Sequence, residues 1–208
     1  EVPLVDGLAD LLRHRGRLVF GRGTDGARLE GSKAWMKEVL VEAGVPTAPY
    51  GAFTDPAAAR AFLDRLDGLF VVKTDGLAAG KGVLVTGDRE EADAAVAAYL
   101  SGDAFGDAGR RVVIEQGLTG PELSVLAVCD GTTAVPLAPA QDFKRLSDGD
   151  SGPNTGGMGA YSPVPVATER LVDDLMEEAV LPTLAALQSR GIDYRGVLYC
   201  GLMLTPDG

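Results

Sequence analysis

The segment VVKTDGLAAGKGVLV, residues 71–85, restricts the fold more than any other stretch of the chain. Valine-rich runs on both sides read as strands, so the glycines between them join strand to strand. A Walker A loop, G-x-x-x-x-G-K-[ST], instead leads into a helix whose N-terminus meets the phosphate. Here Gly76-x-x-x-Gly80-Lys81 is one residue short, and Gly82 stands where Ser or Thr would hold magnesium. The Rossmann pattern G-x-G-x-x-G is absent as well. What remains is a glycine-rich flap across a hairpin, where small residues let backbone N–H groups approach phosphate oxygens. Lys73 ends the first strand and Lys81 lies in the flap, so both could meet phosphate charge. A surface turn with solvated lysines fits this stretch, taken alone, equally well.

The rest of the chain mixes helices with strands, several of them in antiparallel pairs, which predicts an α+β fold rather than a parallel doubly wound sheet. Leu4, Leu8, Leu11 and Leu12 share a helical face, and 17–21 (RLVFG) reads as a short buried strand. Ser32 predicts an N-cap for a helix carrying Trp35, Met36, Val39, Leu40 and Ala43, closed by Gly44 before Pro46. Asp55-Pro56 opens a further helix, and Asp88, with Glu91 at the capping-box position, opens another that runs to about Leu100. Strands are predicted at 69–73, 82–86 and 111–116, then at 123–128 and 133–137 across the hairpin signal Asp130-Gly131, and finally at 197–204. Residues 168–190 read as helix with Pro182 as a kink or break. Between them, 138–166 reads as a long Gly- and Pro-rich loop, a length usually tied to function or mobility.

Composition narrows the function classes. The 208 residues suffice for one large domain or two small ones, and 46% apolar residues supply a core. Nineteen basic against thirty acidic side chains leave a net charge of −11, which disfavours a sequence-independent grip on nucleic acid but permits a local basic pocket. Cys129 and Cys200 lie in apolar runs without metal-ligand spacing and read as buried structural thiols. His14 is the only histidine, which argues against a Ser-His-Asp triad and a His-rich metal site. With no signal peptide and no apolar run near the roughly 20 residues of a membrane span, the chain reads as cytoplasmic and free of membrane. It opens without Met and closes on TPDG, a turn signal without a following strand, and so reads as a piece of a longer protein.

A second element bears on the flap. In RVVIEQGLTGPELS a strand ends in Glu115-Gln116-x-Leu118, and Glu122 follows four residues later. A strand-end hinge offers backbone donors and acceptors to the edge of adenine, and a carboxylate such as Glu122 can accept from ribose hydroxyls. Exposed acids at a turn are the plainer reading. Flap and hinge together resemble the ATP-grasp superfamily, in which two α+β subdomains close on ATP. By that resemblance Lys73 is the first nucleotide lysine, Ala78, Ala79, Gly80, Lys81 and Gly82 form the flap, Glu115, Gln116 and Leu118 form the hinge, and Glu122 is the ribose acid.

LEGSK (29–33), KTDGLAAGKGV and above all QDFKRLSDGDSGPNTGGMGAYSP (141–163) narrow the resemblance to the phosphoribosylamine–glycine ligase family. The family implies phosphorylation of the glycine carboxylate by ATP and attack on the glycyl phosphate by the amine of 5-phosphoribosylamine, with release of phosphate. No protein nucleophile is needed; positioning and neutralisation of oxyanions are. The resemblance implies substrate binding by Asp142, Lys144, Arg145, Asn154, Gly157, Met158 and Gly159, with Gly156 also letting backbone approach. A solvated charge run is the alternative at Asp142, Lys144 and Arg145, and a flexible linker is the alternative for the whole stretch. Residues 1–28 correspond to the end of an N-terminal substrate domain and a linker, and 29–208 to an incomplete ATP-grasp domain with a lysine-hairpin and flap subdomain at about 48–117. Arg22 stands where the family pattern has proline. The family's magnesium ligands, the Glu and Asn of E-F-N-x-R-F-G-D-P-E, fall past Gly208, so no metal ligand is assigned within these residues. The same placement predicts that these residues alone do not complete the ligation. Another ATP-grasp ligase or carboxylase shares the hinge and flap but leaves GPNTGGMG unexplained, and a non-catalytic nucleotide-binding module is the reading from a different class.

Overall fold

The leucine face near the start forms two helices, α1 (Val2–Val5) and α2 (Leu8–His14), separated where Gly7 takes φ 88°. This computed structural model describes residues 2–78, 82–149 and 151–206, with backbone alone at Pro153 and Asn154. Helix α3 (Thr24–Gly31) has no predicted counterpart. Its start is set from a distance, since Asp10 accepts from the Thr24 backbone N–H and hydroxyl at 2.7 and 2.8 Å. Helix α4 (Lys33–Glu42) begins at the predicted Ser32 cap, whose hydroxyl accepts from the Trp35 N–H at 3.2 Å, and ends at Gly44 with φ 70°. Strand β1 (Tyr50–Phe53) was not legible. Helix α5 (Pro56–Leu63) follows its Asp55 cap, then β2 (Phe70–Thr74) and β3 (Val83–Thr86). Asp88 caps α6 (Arg89–Leu100), but Glu91 does not close a capping box; its carboxylate accepts a hydrogen bond from the Thr86 hydroxyl instead. A 3-10 turn at Gly106–Gly109 leads to β4 (Val112–Gln116).

Two compact units result. The first holds 2–5, 27–38 and 46–118, and its sheet has the order β1-β4-β2-β3, antiparallel throughout. Leu63, Val72, Val96, Val112 and Ile114 are fully buried where α5 and α6 cover one face. Register decides what the other face carries. Val72 pairs with Ile114 in the core, so Val71 and Glu115, paired one step along, point away from α5 and α6. Lys73 and Tyr50 share that second face, Tyr50 being paired with Glu115.

The second unit holds 6–26, 39–45 and 119–206 of the described residues. Strands β5 (Glu122–Asp130) and β6 (Ala134–Pro136) turn at Asp130, whose carboxylate accepts from the Thr132 and Thr133 N–H groups at 3.0 and 2.7 Å, as the Asp-Gly signal predicts. Strands β7 (Gln141–Ser147) and β8 (Ser151–Tyr161) pair with each other, and β9 (Arg195–Met203) lies along β5 to give the sheet β6-β5-β9. Helices α7 (Glu169–Leu175) and α8 (Leu181–Ser189) are joined by a π turn at Met176–Val180. Pro182 sits in the first turn of α8, where its missing N–H and its ring break the regular ladder, as predicted.

Two expectations fail. Residues 17–21 form no strand: Leu18 is fully exposed and Phe20 largely so, and among the described residues no strand pairs with them. An apolar run becomes a strand only where a neighbour accepts its hydrogen bonds. The supposed loop 138–166 is mostly the β7–β8 hairpin, with register shifts at Phe143/Arg145 and Arg145/Ser147. Cross-strand pairing overrides the poor strand propensity of its glycines. The antiparallel sheets with flanking helices are the α+β class read from the sequence. Both cysteines are free, Cys129 buried and Cys200 half-buried, where burial pushes the Cys200 thiol up to about 11. No helix among the described residues is long and apolar enough to cross a membrane.

Candidate functional site

Strands β2 and β4 place Lys73 and Glu115 diagonally on one face, and the side chains meet: Lys73 Nζ lies 2.7 Å from Glu115 Oε1. Glu115 is buried, and apart from that ion-pair contact its Oε1 has no hydrogen-bond partner. A second lysine reaches the other oxygen. Lys37, on α4, stands 2.9 Å from Oε2 while donating to Thr47 Oγ1 at 2.7 Å, and its ammonium is 5.4 Å from the centre of the Tyr50 ring. Burial alone would raise the Glu115 pKa, but the charges of Lys73 and then Lys37 outweigh it and hold the carboxyl below its usual range. At Lys37 the balance reverses: burial lowers the ammonium pKa, the attraction of Glu115 only partly offsets it, and Lys73 adds repulsion. Two cations and one anion therefore share a largely dry pocket with a surplus of one positive charge.

Asp75, just past Lys73, ties two sequence motifs together. Its carboxylate accepts from the Ala34 N–H at 2.7 Å and from the Ser32 hydroxyl at 3.0 and 3.1 Å, while Lys33 Nζ donates to the Gly76 carbonyl at 3.0 Å. LEGSK and KTDG are thus one structural element. Beyond them, a Cβ at Gly82 would fall 2.3 Å from Thr74 Oγ1 and 2.8 Å from the Ala78 Cβ, so space rather than backbone angle requires glycine there. Ala79, Gly80 and Lys81, predicted for the flap, lie outside the described residues. The Gln116 side chain donates to the Asp67 carbonyl at 3.1 Å and its N–H to Pro49 at 2.9 Å, while Leu118 is exposed.

The second unit gathers the other predicted residues. Lys144 on β7 donates to Glu122 on β5 and, at 3.1 Å, to Asp142. Burial opposes its charge, but hydrogen bonds to Glu122 and then Asp142 outweigh this and raise the ammonium pKa. Gln141 bridges the strands, donating to the Glu122 carbonyl at 2.7 Å and accepting from the Tyr161 hydroxyl, and the Phe143 and Tyr161 rings stack at 6.0 Å. Arg145 turns aside to the Gly152 carbonyl at 2.9 Å. On β8, Gly157 adopts φ 124°, its N–H donates to Thr155 Oγ1 at 3.1 Å, and a Cβ on Gly156 or Gly159 would meet nothing within 4 Å. Met158 is exposed, and Asn154 pairs by its backbone with Arg145.

Lys37 and Asp75 went unnoticed in the sequence. The signal for Lys37 was Glu115 itself: an acid closing the buried run Val112-Val113-Ile114 must find cations. Among the described residues no three His, Cys, Asp or Glu side chains are placed to hold a metal ion.

Residues 31–208 match the family model for the phosphoribosylglycinamide synthetase ATP-grasp (A) domain. Over all 208 residues the chain is 53% identical to a phosphoribosylamine–glycine ligase of Nostoc sp., covering 49% of that relative, and 54% identical to one of Caulobacter vibrioides, covering 48%. The crystal structure of a phosphoribosylamine–glycine ligase from Thermotoga maritima superposes with a TM-score of 0.81 at 39% identity, over 90% of this chain and 48% of that one. The chain spans about half the length of the relatives it matches.

Proposed function

The chain belongs to the phosphoribosylglycinamide synthetase ATP-grasp (A) domain family, and on that premise we propose that it is the nucleotide-handling part of a phosphoribosylamine–glycine ligase. The reaction joins glycine to 5-phosphoribosylamine with conversion of ATP to ADP and phosphate, a step of purine biosynthesis. A glycine carboxylate oxygen takes the γ-phosphoryl group, the amine then attacks the acyl carbon, and phosphate leaves. The observation that carries this reading is the Lys37–Glu115–Lys73 cluster, a buried site with one surplus positive charge next to a glycine-dependent hairpin.

We assign Lys73 and the flap residues Ala78–Gly82 to the phosphates, and Glu115, Gln116 and Leu118 to the adenine edge. In the second unit we assign Glu122 to ribose hydroxyls and Asp142, Lys144, Arg145, Asn154, Gly157, Met158 and Gly159 to the substrates. Gln116 contributes through its carbonyl, since its N–H is already bonded. Magnesium assists phosphoryl transfer of this kind, but the described residues bring together no set fit to bind it, and no step here runs through it. The complete enzyme would be cytoplasmic.

The test is ATP titration and ADP release in the complete protein. Lys73→Ala removes a charge-assisted contact of roughly 1.5–3 kcal/mol, so ATP should bind about tenfold or more weakly. ADP release should require glycine and phosphoribosylamine together. Release with bicarbonate, or with another amine in place of phosphoribosylamine, would refute the assigned reaction.

A further inference from the structure

Lys37 is not needed to pair Glu115. Lys73 already sits 2.7 Å from that carboxylate, and a one-to-one pair would be neutral. The second lysine makes burial harder, because two ammonium groups then share one carboxylate away from water. Its side chain is only 5% exposed, against 24% for Lys73, so Lys37 does not present itself to a ligand. It faces Glu115 and Thr47, with the Tyr50 ring beside it. A buried side chain that burdens folding and faces only other side chains acts through those neighbours.

We propose that Lys37 is a positioning residue that takes up the charge of Glu115, leaving the positive charge of Lys73 free for the phosphates of a nucleoside triphosphate. This rests on the assignment of Lys73 to those phosphates. Without Lys37, Glu115 would neutralise Lys73, and a neutral pair attracts a polyanion weakly. With it, the cluster keeps one positive charge in a setting of low dielectric, where that charge acts strongly. The Glu115 carboxylate, held at both oxygens, is also fixed in orientation, which in turn fixes the ammonium of Lys73.

The experiment measures ATP and adenosine affinities by calorimetry in the complete chain, for Lys37→Met, Lys37→Gln, Lys37→Met with Glu115→Gln, and Lys73→Met. Lys37→Met should weaken ATP about tenfold while changing adenosine less than about threefold, since adenosine carries no phosphate. Adding Glu115→Gln keeps the hinge backbone assigned to the adenine edge, removes the neutralising charge and should recover most of the ATP affinity lost in Lys37→Met relative to the adenosine affinity of the same double variant. Lys37→Gln keeps a polar partner for Thr47 and should give the same pattern if the methionine variant does not fold. Equal losses for ATP and adenosine, or a double variant as weak as Lys37→Met, would overturn the proposal. If Lys73→Met weakens ATP and the Lys37 variants do not, this inference alone falls. If Lys73→Met leaves ATP binding unchanged, the assignment of Lys73 falls first and takes the inference with it.

Discussion

The two units carry mirror-image clusters. In the first, two lysines flank one carboxylate, and Lys37 and Glu115 are almost wholly buried. In the second, two carboxylates flank Lys144, and all three are 29–43% exposed. One cluster has a surplus positive charge and the other a surplus negative charge. The difference matches what each is proposed to meet: phosphates in the first, hydroxyls and an amine in the second. Burial separates them further. Charges in the first unit are committed by desolvation, so each depends on the others, whereas water can stand in for a lost partner in the second.

Removing one acid from each cluster is the strongest test. Glu115→Leu leaves two ammonium groups in one buried pocket and should lower unfolding free energy by about 3–5 kcal/mol. Glu122→Leu leaves Lys144 paired with Asp142 at a half-exposed site and should lower it by less than about 1 kcal/mol. Urea unfolding of the two variants decides, and equal losses would break the contrast. Next, Asp75→Ala probes the frame behind Lys73: losing the bond to the Ala34 N–H should lower stability by about 1–2 kcal/mol in the same assay.

The two clusters should respond to pH in opposite directions. Glu115 is held below its ordinary value of 4.5, so its stabilisation is present above that pH and is lost as pH falls through the depressed value. Lys144 is raised above 10.5, so its stabilisation is present below that pH and is lost as pH rises through the raised value. Lys37, lowered by burial, adds stability as pH rises toward 10.5 and partly masks the alkaline loss. Unfolding followed against pH should therefore show a shallower acid limb in Glu115→Gln, a shallower alkaline limb in Lys144→Met and a steeper alkaline limb in Lys37→Met. The smallest effect on stability is expected from Arg145→Lys, within about 0.5 kcal/mol, because Arg145 makes a single bond to an exposed carbonyl. Its KM for glycine or phosphoribosylamine should nonetheless shift, since Lys does not reproduce a planar fork; unchanged kinetics would remove Arg145 from the substrate group.

What could be read from the sequence followed from local rules. Val- and Ile-rich runs marked β2, β3 and β4, and Asp55, Asp88 and Asp130 marked their caps and turn through their own neighbours. Features set by distant partners were hidden. The glycines of β8 give no local sign of a strand and depend on β7. The start of α3 depends on Asp10, 14 residues away. Leu18 and Phe20 look like core in a one-dimensional pattern and are exposed in the described structure. In the site, Lys73, Glu122, Asp142 and Lys144 stood out by motif. Lys37 did not stand out, because nothing within four residues of it reveals the acid it meets on β4.

Asp75 lies 43 residues after Ser32 and 41 after Ala34, which gives the first turn of α4 a schedule on the ribosome. Ser32 can receive the Trp35 N–H as soon as both have emerged, but the Ala34 N–H must wait for Asp75. At about 5–20 residues per second, that wait lasts roughly 2–8 s. During it, the helix that carries Lys33 and Lys37 stays frayed at its start. The first turn of the nascent helix is closed only when Asp75, just past the end of β2, arrives, so both lysines reach their final places together with Lys73.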